Sequence, residues 1–160
     1  MANAANDQSA LSEFLRRKKG EASSDVDWAA KRDEWIASVK RLYQFLTNDL
    51  LKDSIDEKII LVSKAPKQIT EDYIGTYSVP ELKLRIGNAR VVFSPTGANV
   101  IGAAGRIDLR GDRDTVTLIR EKASTAPSDQ WKMVQQRVPN LVIRPLDSDS
   151  LKWALEHVML

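Results

Sequence analysis

A change in the period of the apolar residues near residue 57 constrains the fold of this 160-residue chain more than any other feature. Before it, large apolar residues recur every three or four positions, the repeat that places side chains on one stripe of an α-helix. Between Val26 and about Lys52 the stripe consists of Trp28, Trp35, Val39, Leu42, Leu46 and Leu50. We therefore predict a long amphipathic helix that ends between Lys52 and Asp56 and packs this stripe into the core.

After the change, apolar residues alternate with polar ones, which is the pattern of half-buried β-strands. Residues 82–86 read Leu-Lys-Leu-Arg-Ile, and residues 106–110 alternate in the same way. Turn signals such as Gly87-Asn88 and Gly111-Asp112 separate these runs, so consecutive strands are expected to pair as antiparallel hairpins. The sequence thus predicts an α+β fold: a mostly antiparallel meander of about six to eight strands, with the long helix covering one face.

Proline, glycine and capping residues set the remaining boundaries. Ala65-Pro66 is expected to interrupt the first strand, and Ile69 to Val79 is too irregular to assign to one. Asn99 to Ala104 is expected to form a strand weakened by small residues. A short helix from about Ser148 to Met159 closes the chain, and the Asp147-Ser148-Asp149 cluster supplies its cap.

Length and composition predict one principal domain. A chain of 160 residues is long enough to bury a core without disulfides or metals. We expect residues 25–160 to form the single α+β domain. Residues 1–24 are expected to form a short helix with the apolar residues Leu11, Phe14 and Leu15, followed by a partly flexible hinge.

Composition also removes several function classes. The chain has no cysteine, which excludes disulfides, a thiol nucleophile and thiolate metal sites, and its one histidine, His157, excludes a histidine pair for metal. No apolar run reaches membrane-spanning length, and we expect no signal peptide because the N-terminus lacks the apolar segment of one. These features favour a soluble, cytoplasmic protein without a cofactor or bound metal.

The strongest functional candidate is a cationic sheet face. Alternation places Lys83, Arg85, Arg106 and Arg110 on the face opposite the helix, with no aromatic residue between them. Trp153 lies off the apolar stripe of the last helix and is a candidate apolar anchor, because tryptophan is enriched at binding hot spots. The pattern predicts a non-enzymatic interaction or accessory domain that docks a protein partner, or associates with itself, through these residues.

Two other functions remain open from the sequence. The first is weak, sequence-independent nucleic-acid binding through the same face and the basic run Arg16 to Lys19, although a net charge of +2 is a small electrostatic footprint. The second is a small metal-dependent hydrolase that uses Asp108 and Asp114. Steep salt dependence of binding would distinguish the first function, and a thermal shift on metal addition would distinguish the second.

Overall fold

The computed structural model describes residues 10–16, 27–98, 103–121, 131–136 and 141–159, and it has the predicted α+β architecture. The helices are α1 (residues 10–16), α2 (Trp28–Phe45), α3 (Lys52–Asp56) and α4 (Ser148–Met159). The strands are β1 (Ile60–Glu71), β2 (Gly75–Ile86), β3 (Ala89–Gly97), β4 (Gly105–Arg110), β5 (Thr115–Arg120), β6 (Trp131–Gln136) and β7 (Val142–Pro145). Within these residues the strands form one seven-stranded antiparallel meander in the order β1-β2-β3-β4-β5-β6-β7.

The predicted long helix is only partly matched. After Phe45 it continues as a π-helical turn, Leu46–Leu50, and it breaks at Leu51 before α3. The hydroxyl of Thr47 donates to the carbonyl of Tyr43 at 2.8 Å, and a side chain that bonds to the carbonyl four residues back disturbs the helical ladder at that point. The apolar period continues through this turn, so the periodicity alone does not reveal the break.

Four of the six residues of the predicted stripe are buried in the core. Trp35, Val39, Leu42 and Leu46 are at most 3% exposed. Trp28 is half-buried instead and stacks on Tyr73 with ring centroids 5.3 Å apart, so its predicted core position is wrong. α2 and α4 pack on the same face of the sheet, because the buried residues of both helices belong to one hydrophobic cluster with those of the strands.

The predicted interruption at Ala65-Pro66 is wrong. β1 and β2 pair along twelve residues each, with Pro66 directly opposite Pro80. The carbonyl of Pro80 accepts a hydrogen bond from the Tyr43 hydroxyl at 2.7 Å and therefore points away from β1. Since the N–H and C=O of one strand residue point the same way, neither proline removes a hydrogen bond from the β1–β2 ladder.

The segment from Ile69 to Val79, which the sequence left unassigned, belongs to this long hairpin. The face of β2 that is buried changes along the strand. The even-numbered Leu82 and Leu84 are buried in one half, and the odd-numbered Tyr77 and Val79 are buried in the other. Such a change destroys a simple alternation, which is why the segment lacks a clear period. Beyond the pair Leu82–Phe93 the hairpin separates from β3.

The end of the chain follows the prediction. α4 begins after Asp147, whose carboxylate accepts from the Ser150 backbone N–H at 2.8 Å, while the Asp147 N–H donates to the Ser150 hydroxyl at 3.0 Å. The predicted hinge and most of the predicted strand before Ala104 fall in residues 17–26 and 99–102, outside the described residues. No helix in the described part of the chain has both the length and the apolar character needed to cross a membrane.

Candidate functional site

The polar face of the sheet is the one opposite α2 and α4. The predicted cations of the strands project from it because each alternates along its strand with fully buried leucine or isoleucine side chains. The placement therefore agrees with the alternation in the sequence for all four residues: Lys83, Arg85, Arg106 and Arg110.

Two rows of residues cross the strands at the end of this face that lies next to the Gly87-Asn88 turn. The first row consists of Leu61, Arg85 and Arg90 on β1, β2 and β3. The second row consists of Ser63, Lys83, Val92 and Arg110 on β1 to β4. We call the four exposed cations of these rows the cationic patch: Lys83, Arg85, Arg90 and Arg110.

Arg90 is the patch residue that the sequence reasoning missed. Its position follows from the hairpin: the two-residue loop closes on the pair Ile86–Ala89, and the next pair is Arg85–Arg90. Gly87 has φ +61°, the conformation that a type II′ turn places at its first loop residue. The pair that closes a two-residue loop, here Ile86–Ala89, is hydrogen-bonded, and hydrogen-bonded and non-hydrogen-bonded pairs alternate from there. Arg85 and Arg90 therefore form a non-hydrogen-bonded pair, in which side chains lie closest.

Such a pair of like charges is unfavourable for the fold. Cross-strand pairs contribute on the order of 0.2–1 kcal/mol each, and like charges directly opposite one another are destabilising. Arg85 donates only a long 3.4 Å hydrogen bond to the Gly87 carbonyl. Among the described residues, no acidic side chain forms an ion pair with Lys83, Arg85 or Arg90.

Arg106 lies on the same face but in different surroundings. Its Nε donates to Asp108 Oδ1 at 2.9 Å, and its Nη2 lies 3.4 Å from Asp108 Oδ2. Asp108 is only 7% exposed, so its carboxylate needs the ion pair with Arg106 to offset the cost of burying a charge. Arg110 Nη2 lies 3.8 Å from Asp108 Oδ2 and so stands at the boundary between Asp108 and the patch.

A second set of polar contacts adjoins Arg106 and Asp108. The Lys67 ammonium donates to Ser94 Oγ at 2.8 Å and to the Pro95 carbonyl at 2.7 Å. Ser94, which is buried, donates in turn to Glu81 Oε2 at 2.6 Å. We call these residues the paired network: Lys67, Glu81, Ser94, Arg106 and Asp108.

An open groove of about 410 Å³ lies within the two rows, on β1 to β3. Leu61, which is 58% exposed, and the half-buried Val92 contribute apolar surface to it. Lys83, Arg85 and Arg90 also line it. A groove that combines cations with aliphatic surface can bind a segment that carries both carboxylates and an apolar side chain.

Trp153 is not brought to this patch. It lies on α4, on the opposite side of the sheet, where it packs against the core and stacks on His157 with ring centroids 5.1 Å apart. His157 Nε2 in turn contacts Asp114 Oδ2 at 2.8 Å. The Thr115 backbone N–H, and secondarily His157, hold the pKa of Asp114 below its ordinary value.

The two carboxylates proposed for a metal site therefore have separate partners. Asp108 contacts Arg106 and Arg110, whereas Asp114 contacts His157 and Thr115. Within the described ranges, no three histidine, aspartate or glutamate side chains are grouped so that they could hold a metal ion.

Comparisons of the chain with protein-family models, with characterised proteins and with solved structures found no match. The fold and the surface instead define a class: an α+β domain whose antiparallel sheet is covered by two helices on one face and carries a cationic patch on the other. Its function has to be argued from the chemistry of the patch.

Proposed function

We propose that the protein is a non-enzymatic interaction domain that docks an acidic segment of a protein partner on the cationic patch. The observation that carries the proposal is the Arg85–Arg90 pair, two exposed arginines held directly opposite each other without an acidic partner among the described residues. Elsewhere on the same face, cations such as Lys67 and Arg106 do have partners within the fold. A carboxylate from outside would relieve the repulsion between the two arginines.

The chemistry of the patch favours a peptide carboxylate as the ligand. Arginine presents a planar fork of donors that matches a carboxylate, and adjacent arginines can bind two carboxylates or share one. The cations also attract an acidic partner over distance and orient it during the encounter. Leu61 and Val92 add aliphatic contact area, which an acidic segment with a leucine or valine would cover.

A protein partner fits the patch better than a nucleic acid does. Proteins that bind single strands place aromatic side chains between cations so that bases can stack. The two rows that form the patch contain no aromatic residue; they consist of Leu61, Ser63, Lys83, Arg85, Arg90, Val92 and Arg110. Nucleic-acid binding is therefore the alternative outcome of the test.

The test measures binding of two fluorescent probes by anisotropy: a short peptide of aspartate, glutamate and leucine, and a single-stranded oligonucleotide of equal charge. We expect the full chain to bind the peptide more tightly than the oligonucleotide, and Arg85→Glu to weaken peptide binding about tenfold or more. Lys40→Glu is the matched control, because Lys40 is an exposed residue of α2 and the substitution changes the net charge equally. It should change the affinity less than twofold.

Two results would contradict the proposal. Equal losses in Arg85→Glu and Lys40→Glu would show that net charge, not the patch, determines binding. Preference for the oligonucleotide, with affinity that falls steeply as salt rises, would support nucleic-acid binding instead. Capture from native lysate with and without nuclease, compared between wild type and Arg85→Glu, then identifies the partner.

A further inference from the structure

We propose that the chain forms a dimer in which α1 of each copy packs into an apolar groove beside α4 of the other copy. The groove and α1 both lie outside the cationic patch. The proposal therefore goes beyond the docking function and does not depend on it.

The first observation is the exposed apolar stripe of α1. Leu11, Phe14 and Leu15 have the spacing that places three side chains on one side of a helix, and they are 58%, 47% and 56% exposed. Isolated helices of this length are marginal in water, and most helical stability comes from packing such a stripe against another surface. The described part of the chain does not cover it.

The second observation is an apolar groove of about 350 Å³ between the end of the π-helical turn and α4. Five apolar residues line it: Leu50, Leu51, Leu151, Leu155 and Met159. The polar residues at this groove are Ser148, Lys152 and Glu156. A groove of this kind, formed between helices, accepts an amphipathic helix through three or four apolar side chains at helical spacing.

The charges around the two surfaces are complementary. Lys52 and Lys152 are engaged in ion pairs with Asp56 and Glu156. Three further carboxylates, Asp49, Asp53 and Asp149, stand within two residues of the groove-lining positions in the sequence. The stripe of α1 is followed in the sequence by the four consecutive cations at residues 16–19. Carboxylates next to the groove residues in sequence, and cations next to the stripe of α1 in sequence, favour the docked arrangement.

Chain length favours a second copy over the same copy as the acceptor. From Trp28 to Leu50 the helix axis runs for roughly 33 Å, and the groove lies at the far end of that distance. Residues 17–27 connect α1 to the start of α2. Eleven residues span about 17–20 Å as a flexible coil and at most about 40 Å when fully extended. Docking within one copy would thus require a connector extended well beyond its coil length, whereas reciprocal exchange between two copies closes as a two-fold dimer.

The oligomeric state of the full chain tests the proposal. We expect sedimentation equilibrium to show a dimer for the wild type and a monomer for Phe14→Asp. The variant should still unfold cooperatively, with a melting temperature that does not rise with protein concentration as that of the wild type does. Ser12→Asp is the control, since it adds the same charge off the stripe and should remain dimeric. A wild-type monomer at every accessible concentration, or identical behaviour of the two variants, would overturn the proposal.

Cysteine cross-linking tests the arrangement, because the natural chain contains no cysteine. The double variant Leu11→Cys with Leu155→Cys should form a covalent dimer on oxidation, and mixing the two single variants should give a covalent heterodimer. An intramolecular disulfide, seen as a faster monomer band, would show that α1 docks within its own copy and would refute the exchange. Phe14→Asp should bind the acidic peptide as the wild type does, so failure of one proposal is distinguishable from failure of the other.

Discussion

The two halves of the polar sheet face differ in how their charged side chains are paired. In the paired network, Lys67, Glu81, Arg106 and Asp108 all form contacts inside the fold. In the cationic patch, Lys83, Arg85 and Arg90 contact no acidic side chain of the described residues, and two of them face each other. We infer from the comparison that the first half stabilises the domain, and the docking proposal assigns the second half to a partner.

Burial, not residue type, separates the two halves. Ser94 and Asp108 are 1% and 7% exposed, so their polar atoms need partners within the protein. Lys83, Arg85 and Arg90 of the patch are exposed and remain solvated without one. Four substitutions, whose expected effects on stability decrease in size, test this division.

Asp108→Ala should have the largest effect on stability. The substitution removes the carboxylate that Arg106 contacts at 2.9 Å and leaves a partly buried guanidinium without its acceptor, so we expect the free energy of unfolding to fall by about 2–3 kcal/mol. Urea denaturation measures it. Asp112→Ala, at an exposed turn position, is the control and should stay within about 0.5 kcal/mol of the wild type. Equal effects of the two substitutions would show that the Asp108 carboxylate does not stabilise the fold.

Glu81→Ala should cost about 1–2 kcal/mol, because the buried hydroxyl of Ser94 loses its acceptor. Glu81→Gln keeps an acceptor oxygen and should retain most of the stability. Urea denaturation of the two variants checks the prediction. Similar losses in both would mean that the charge of Glu81, close to the Lys67 ammonium, matters more than the hydrogen bond from Ser94.

Tyr43→Phe tests the boundary where the β1–β2 hairpin leaves β3. The Tyr43 hydroxyl lies 2.7 Å from the Pro80 carbonyl and 3.2 Å from the Phe93 carbonyl, so it connects the two strands where they separate. Its loss should cost about 1 kcal/mol at neutral pH. Tyr73→Phe, at an exposed ring, is the control for the hydroxyl change.

The pH dependence of Tyr43→Phe gives a second measurement. Burial, and then the nearby Glu81 carboxylate, raise the pKa of Tyr43 above its ordinary value. A raised pKa means that the neutral hydroxyl stabilises the fold fully below about pH 10, and that this contribution is lost as the pH rises further. The difference in stability between wild type and Tyr43→Phe should therefore shrink above pH 10. A difference that stays constant to high pH would contradict this explanation.

The parts of the site that were predictable from sequence depend only on local geometry. A period of two places Lys83 and Arg85 opposite Leu84 whatever packs on the sheet, and a two-residue turn fixes Arg90 opposite Arg85. The pairing of Arg106 was not predictable, because it depends on burial of Asp108, which alternation does not encode.

The errors in the fold have a related cause. The inward-facing side of β2 changes near Pro80, so the hairpin that carries Lys67 and Glu81 shows no single period. Trp28 has the right spacing for the core, but it lies at the first turn of α2, where its ring stacks on Tyr73 at the tip of the β1–β2 hairpin. Both features depend on how elements far apart in sequence meet, and no local pattern records that.

Arg90→Glu should have the smallest effect on stability and the opposite sign. It turns a repulsive cross-strand pair into an attractive one, so we expect the domain to become more stable by about 0.2–1 kcal/mol. The gain should decrease at high salt, which screens exposed charges, and Arg90→Gln should show a smaller gain. Urea denaturation at low and high salt measures both variants. In the same preparations Arg90→Glu should lose affinity for the acidic peptide, because the docking proposal assigns a peptide contact to the arginine that is unfavourable for the fold. Destabilisation comparable to that of Asp108→Ala would instead show that Arg90 stabilises the fold. The Arg85–Arg90 pair would then no longer support the docking function.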